Sequence, residues 1–330
     1  MELRTACSRF RLAIAVALVA GLVLAALSCK AESKSPSNPN PTASPTINGC
    51  PVFPPDNPWN TDVSTLPVHP RSDVFINSIG REKNLHPDFG TLWQGRPSGI
   101  PYVVVRGDQP KVPVTFSYGG ESDPGPYPVP DDAPIEGGPD ARGDRHVLVI
   151  DRDNHRLYEL FKAYKVPGPA GSGWKAGSGA IFDLSTNRLR PKGWTSADAA
   201  GLPIFPGLVR YDEVLEKAAL THAVRFTCVR TQRGFISPAR HFASSSNDPN
   251  LPPMGLRVRL KADYDITSFP KSVQVILRGL KKYGMLLADN GGDWFITGAP
   301  DPRWKDEELA AIKRVKGKDL EVVYTGDIEH

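Results

Sequence analysis

The chain has 330 residues, including 33 Pro and 30 Gly, with 40% hydrophobic and 23% charged residues; this is the profile of a folding chain and excludes disorder throughout, a collagen repeat and a coiled coil. Proline at about twice its average usage of roughly 5% argues against a helical bundle and for strands joined by long loops. A formal net charge of +4, with no basic stripe interleaved with aromatic residues, leaves no footprint for nucleic acid.

The chain begins with Arg4, Arg9 and Arg11, followed by an apolar run from Leu12 to Leu27 broken only by Gly21. That order is a secretory signal over residues 1–28, and a run of about 16 residues is short of the roughly 20 a spanning helix needs. It ends in Ala26-Leu27-Ser28-Cys29, which resembles a bacterial lipobox. Cys29 is therefore expected to carry lipid and to anchor an exported protein at the outer membrane or cell surface, with an ordinary cleaved signal as the alternative. Residues 29–49 have almost no large apolar side chain and read as a Pro/Ser tether. Residues 50–330 are then one globular domain, in which Cys50 and Cys228 are the remaining cysteines. In an oxidising compartment they are expected to form a disulfide, the alternative being two buried thiols.

Along the globular part, β-branched and aromatic runs between turn residues predict strands at 102–106, 112–118, 146–151, 156–164, 180–184, 223–230, 256–261, 285–288, 294–297 and 320–324. Residues 151–155 join two of these as a hairpin. Helical spacing predicts a helix over 270–283, with Val273, Ile276, Leu277 and Leu280 on one stripe, Thr267 or Ser268 near the N-cap and Gly284 at its end. Shorter helical stretches are expected at 72–79, 211–217 and 305–315. The expected fold is mainly β (α+β): a β-sandwich, a jelly roll being one form of it, with a helix-containing annex over about 265–330.

No Gly-x-Ser-x-Gly elbow, His-Glu-x-x-His, phosphate-binding loop or dinucleotide fingerprint is present. The candidates are instead polar residues that strand alternation sets on apolar faces. His146 shares a face with Leu148 and Ile150, Glu159 with Leu157 and Phe161, and His222 with Val224 and Phe226. Burial would raise the Glu pKa and lower those of the His, poising an acid/base set; the plainer reading has each His at a strand end and Glu159 paired with Arg225 or Arg145. Arg240 and His241, adjacent in the polar loop 237–246, suit a lyase that neutralises a substrate carboxylate and moves a proton, or simply pin that loop. A Gly/Pro-rich loop gathers Glu121, Asp123 and Tyr127, with Glu136 shortly after, as a cleft wall or a packing loop. Trp174 and Trp194 lie in Gly-rich surroundings that suit sugar-stacking platforms or loop plugs. Thr195 or Ser196 is expected to cap a short helical turn carrying Asp198. Asp289, Asn290 and Asp293 read as a turn; as a Ca²⁺ site they fall short of the six to eight ligands needed, and no cofactor is expected, with a metal on the His/Glu set as the remaining option.

The segments Ser196-Ala-Asp-Ala-Ala-Gly-Leu-Pro203, Pro206-Gly-Leu-Val-Arg210, His222-Ala-Val-Arg-Phe-Thr227 and Tyr283-Gly-Met-Leu-Leu-Ala-Asp-Asn-Gly291 resemble a family of exported bacterial proteins of unassigned function. The resemblance spans most of residues 53–304 and implies export but no activity. The function expected from the residues is a carbohydrate-active lipoprotein, a polysaccharide hydrolase or lyase working by His/Glu acid-base chemistry. The alternative is a surface lipoprotein that binds a glycan or an envelope partner without catalysis.

Overall fold

The β-branched and aromatic runs do form strands, and all ten expected strands lie within one or a few residues of their observed bounds. The computed structural model describes residues 44–167 and 173–330; the expected signal, Cys29 and most of the expected tether lie outside the described residues. The chain opens with a small hairpin, β1 (Thr46–Ile47) and β2 (Cys50–Pro51), followed by helix α1 (Ser72–Ile79) and strand β3 (His86–Asp88). A second hairpin, β4 (Leu92–Trp93) and β5 (Arg96–Pro97), precedes β6 (Tyr102–Val105), β7 (Val114–Phe116), β8 (Val147–Asp151) and β9 (Arg156–Phe161). Next come β10 (Tyr164–Val166), β11 (Gly173–Ala176), β12 (Ser178–Asp183), β13 (Val224–Cys228) and β14 (Arg257–Leu260). Helix α2 (Lys271–Lys282), β15 (Met285–Asn290), β16 (Phe295–Thr297), the single turn α3 (Asp306–Leu309) and β17 (Leu320–Val322) complete the order.

Six strands form the largest sheet, in the order β17-β14-β15-β13-β16-β3; four form a second, β12-β9-β8-β6, and three a small third, β10-β11-β7. The fold is mainly β with few helices, as the composition requires. Its sheets are mixed: β6 with β8, β13 with β15, β16 with β3 and β11 with β7 are parallel pairs, so the strictly antiparallel pattern of a jelly roll is not what forms. The strands expected in a C-terminal annex are inserted in the main sheet, with β15 between β13 and β14.

Strands β8 and β9 are buried on both faces, and alternation divides their side chains between two cores. Leu148, Ile150 and Leu157 join the main core with the six-stranded sheet and α2, whereas Val147, Val149, Tyr158 and Leu160 pack into a second core with Tyr127 and Trp174. Helix α2 lies against β14, and Val273, Ile276, Leu277 and Leu280 are fully buried, each worth about 1.5–3 kcal/mol. Its N-cap is Pro270, in extended geometry with no side-chain cap. Thr267 and Ser268 are not the cap: Gln274 instead donates to the carbonyls of Thr267 and Phe269. Gly284 closes the helix at φ +64°, as expected of a C′ glycine. No helix among the described residues is long and apolar enough to cross a membrane.

The expected disulfide is absent: Cys50 and Cys228 are both free and buried. Cys50 lies near Asp151 and Asp153 at the β8–β9 turn, Cys228 near Asp289 and Asp293 at the end of the main sheet. Each thiol bonds a nearby carbonyl, Pro51 O at 3.5 Å and Arg230 O at 3.3 Å.

Candidate active site

Strand β3 contains Pro87, which removes an N–H from the ladder and is tolerated because β3 is an edge strand. That proline hid the strand from sequence patterning. Its parallel register with β16 sets His86 beside Phe295 and Asp88 beside Thr297, while β13 sets Thr227 beside Phe295. A bulge at Ala288 shifts the β13–β15 register so that Asp289, not Ala288, lies opposite Thr227. One residue more or less would turn Asp289 to the other face. Asp88, Thr297, Arg225 and Asp289 are thereby gathered at one end of one sheet face.

The four-stranded sheet supplies the opposing groups. His146 immediately precedes β8, and the Glu136 N–H donates to the His146 carbonyl at 3.0 Å; Gly137 and Gly138, at φ +69° and +90°, turn the chain back directly after Glu136. His146 is 2% exposed. Its Nδ1 lies 2.7 Å from a Glu136 carboxylate oxygen and its Nε2 3.1 Å from the Ala197 carbonyl, an arrangement in which both ring nitrogens donate. Burial alone would lower the His146 pKa, but the adjacent Glu136 carboxylate and its hydrogen bond more than offset that and raise it to about 9. His146 is therefore an imidazolium at neutral pH, the opposite of the neutral histidine that burial alone predicts. In turn, burial pushes Glu136 up, while His146 and then Arg225 overcome this and hold it below the ordinary carboxylate value.

Arg225 is buried and grips Asp198 in a two-pronged pair, Nε to Oδ2 and Nη2 to Oδ1, both at 2.7 Å, with Nη1 donating to Thr297 Oγ1 at 2.7 Å. No helical turn carries Asp198; the Ser196 hydroxyl accepts from its N–H at 2.9 Å and donates to its carbonyl, fixing the loop by a side-chain turn instead. Asp289 lies 3.6 Å from Arg225. Burial, reinforced by Asp198 and only partly relieved by Arg225, pushes its pKa up to about 7.

An open cleft of about 780 Å³ reaches this cluster, with Asp88, Glu136, His146, Arg225 and Thr297 on its lining and the β4–β5 hairpin at its edge. Asp88 is solvent-accessible within the cleft, and among the described residues its carboxyl makes no hydrogen bond or ion pair. Protein on most sides desolvates it and raises its pKa, Arg225 opposing and Glu136 reinforcing the shift. Two carboxyl groups of one cleft are thus driven in opposite directions, Asp88 toward the acid and Glu136 toward the carboxylate.

Of the residues selected from sequence, His146, Arg225 and Glu136 reach the cleft, and Asp289 contacts Arg225. Glu159 does not: it is fully buried and accepts from the N–H groups of Ile204 and Phe205 at 2.9–3.0 Å, pinning that turn to β9. It pairs with neither Arg225 nor Arg145, and burial pushes its pKa to about 7 against those two backbone bonds. His222 belongs to a separate buried cluster, 3.0 Å from Glu213, which also binds Arg210. His241 stacks on Phe242 and bonds the Ala199 carbonyl at 2.8 Å.

The loop residues Glu121, Asp123, Tyr127, Trp194 and Arg240 converge on Arg190. Arg190 pairs with Asp123, donates to the carbonyls of Glu121 and Thr195, and lies over Trp194. The Glu121 carboxylate takes the Thr195 N–H at 3.2 Å, Tyr127 donates to the Asp123 carbonyl at 2.8 Å, and Arg240 donates to the Arg190 carbonyl at 3.1 Å. Trp174 is buried in the second core, so neither tryptophan is an exposed platform. Asp293 pairs with Lys83 and takes the Val229 N–H, so it does not converge with Asp289 on a cation. No group of metal-ligating side chains forms among the described residues.

Sequence patterning missed Asp88, for which a carboxylate flanking a β-edge proline was the only local signal; it named Glu136 as a possible cleft wall but not its pairing with His146. The chain matches no family model, no curated protein and no solved structure.

Proposed function

We infer that this protein is an exported, Cys29-lipidated enzyme that cleaves glycosidic bonds of a polysaccharide in the cleft, with Asp88 as general acid and Glu136 as base. Asp88 carries the proposal: it is a free carboxyl in a cleft, held toward its protonated form, facing a carboxylate held ionised by His146. Carboxyl pairs whose surroundings drive their pKa values apart are what glycoside hydrolysis requires. Asp88 donates its proton to the departing glycosidic oxygen as the bond to the anomeric carbon breaks. Glu136 takes a proton from the water whose oxygen bonds that carbon, and the net change is addition of water across the C–O bond.

His146 and Arg225 are positioning residues here. The imidazolium fixes the Glu136 carboxylate and the Asp198–Arg225–Thr297 chain fixes the cleft floor. Trp93, 71% exposed at the cleft edge, offers a face for a sugar ring. It also supports a second reading, glycan binding without turnover.

The test is a panel of neutral and acidic glycans with wild type, Asp88→Asn and Glu136→Gln, read as new reducing ends and as the ultraviolet absorbance of an unsaturated lyase product. Turnover by wild type that falls by about 10²–10⁴-fold in each variant is expected. Glycan binding with no product, unchanged in Asp88→Asn, would establish the non-catalytic reading instead.

A further inference from the structure

Two cations on the cleft lining have no ion pair among the described residues. Lys313, exposed on the 3₁₀ turn Ala310–Arg314 and lining the cleft, has no ion-pair or hydrogen-bond partner among the described residues. Arg96, on the β4–β5 hairpin, donates through Nη1 to the Gly137 carbonyl at 2.7 Å and has no ion-pair partner there, so its charge also faces the cleft unmatched. Of the acids on the lining, Glu136 is paired with His146 and Asp306 accepts from the Thr91 N–H and hydroxyl. Beside Lys313 lies a half-buried aromatic floor, His86 stacked on Phe295 at 4.0 Å and 19°. Burial and then Lys313 lower the His86 pKa, which favours the uncharged ring.

We propose that the cleft takes a carboxylated glycan, a chain containing uronic acid units, with one sugar ring on the His86–Phe295 floor and its carboxylate on Lys313 and Arg96. The pairing of a stacking surface with unmatched cations distinguishes this from a neutral glucan or xylan site, which would leave both cations without a counter-charge. This substrate class rests on the reading of the cleft as a glycan-cleaving site.

The experiment compares polygalacturonate with the same polymer after chemical reduction of its carboxyl groups to alcohols, and desulfated with sulfated chondroitin, using wild type, Lys313→Gln and Arg96→Gln/Lys313→Gln. Both substituted side chains are at the surface, and circular dichroism confirms that the variants fold. Wild type is expected to show a KM at least about tenfold lower for a carboxylated polymer than for a neutral one, rising with ionic strength. Lys313→Gln should shrink that preference about tenfold through KM rather than kcat, and the double variant should remove it. Cleavage of carboxyl-reduced and carboxylated polymer with equal KM, or a preference undiminished in the double variant, would overturn the substrate class while leaving glycan cleavage intact. Cleavage of the sulfated polymer alone would assign the cations to sulfate esters and overturn it equally. If wild type cleaves none of these polymers, nor any neutral glycan, both the class and the function beneath it fail.

Discussion

Glu159 offers a direct measure of how the buried acid cluster taxes this fold. Its carboxyl is fully enclosed, held by two backbone N–H groups, and titrates at about 7 against an ordinary 4.5. Between those values the native state binds one more proton than the unfolded chain, so stability falls as pH rises through the window and is fully retained only below it. At about 1.4 kcal/mol per pH unit, the loss amounts to about 3 kcal/mol once the group is ionised. Glu159→Gln removes the titration. It keeps a carbonyl to accept from Ile204 or Phe205 but buries amide hydrogens without acceptors, costing about 1–3 kcal/mol at low pH. Urea unfolding of both proteins at about pH 5 and pH 8 should therefore show the variant weaker at the lower pH and gaining roughly 2–3 kcal/mol relative to wild type at the higher one. Taking the difference between the proteins cancels His146, Asp289 and every other group that titrates alike in both. A gap between the two that stays constant across this range would refute the burial-driven shift and assign Glu159 an ionised state throughout.

Asp198→Asn should cost about 3–5 kcal/mol by leaving the buried Arg225 guanidinium without its main counter-charge, and Asp198→Leu combined with Arg225→Met should recover part of it; chemical denaturation of the three proteins decides. Leu277→Asp, placing a charge in the sealed face of α2, should unfold the domain or lower its stability by well over 2 kcal/mol, whereas Asp289→Ala should leave the Tm nearly unchanged because Arg225 keeps Asp198. Burial raises the Cys50 and Cys228 thiol pKa values to about 11 and 12. Both should therefore resist a chromogenic thiol reagent in the folded protein and react stoichiometrically in denaturant; a lack of reactive thiols after unfolding would reinstate the disulfide.

Ten strands and the two main helices were legible because their signals are local. Alternation of apolar residues over 146–151 and 156–161, the 3.6-residue stripe of α2 and the glycine after it each need only neighbouring residues to be read. The same periodicity put His146 and Glu159 each on a buried face of its own strand, and identified Arg225 and Asp289 as polar residues in apolar strands. The sequence could not say which buried polar group meets which. Glu159 was matched with arginines but is satisfied by backbone amides from a turn 45 residues away. His146, expected neutral from burial, is an imidazolium because a Gly-Gly turn returns Glu136 to it. Asp88 became part of the cleft only when β3 paired with β16, and Asp289 joined Arg225 only through the bulge at Ala288. Strand order, register and bulges are set by the packing of whole sheets against one another, which no short window of sequence contains. That is why the scaffold was visible in the chain while its candidate acid and base were decided by the tertiary fold.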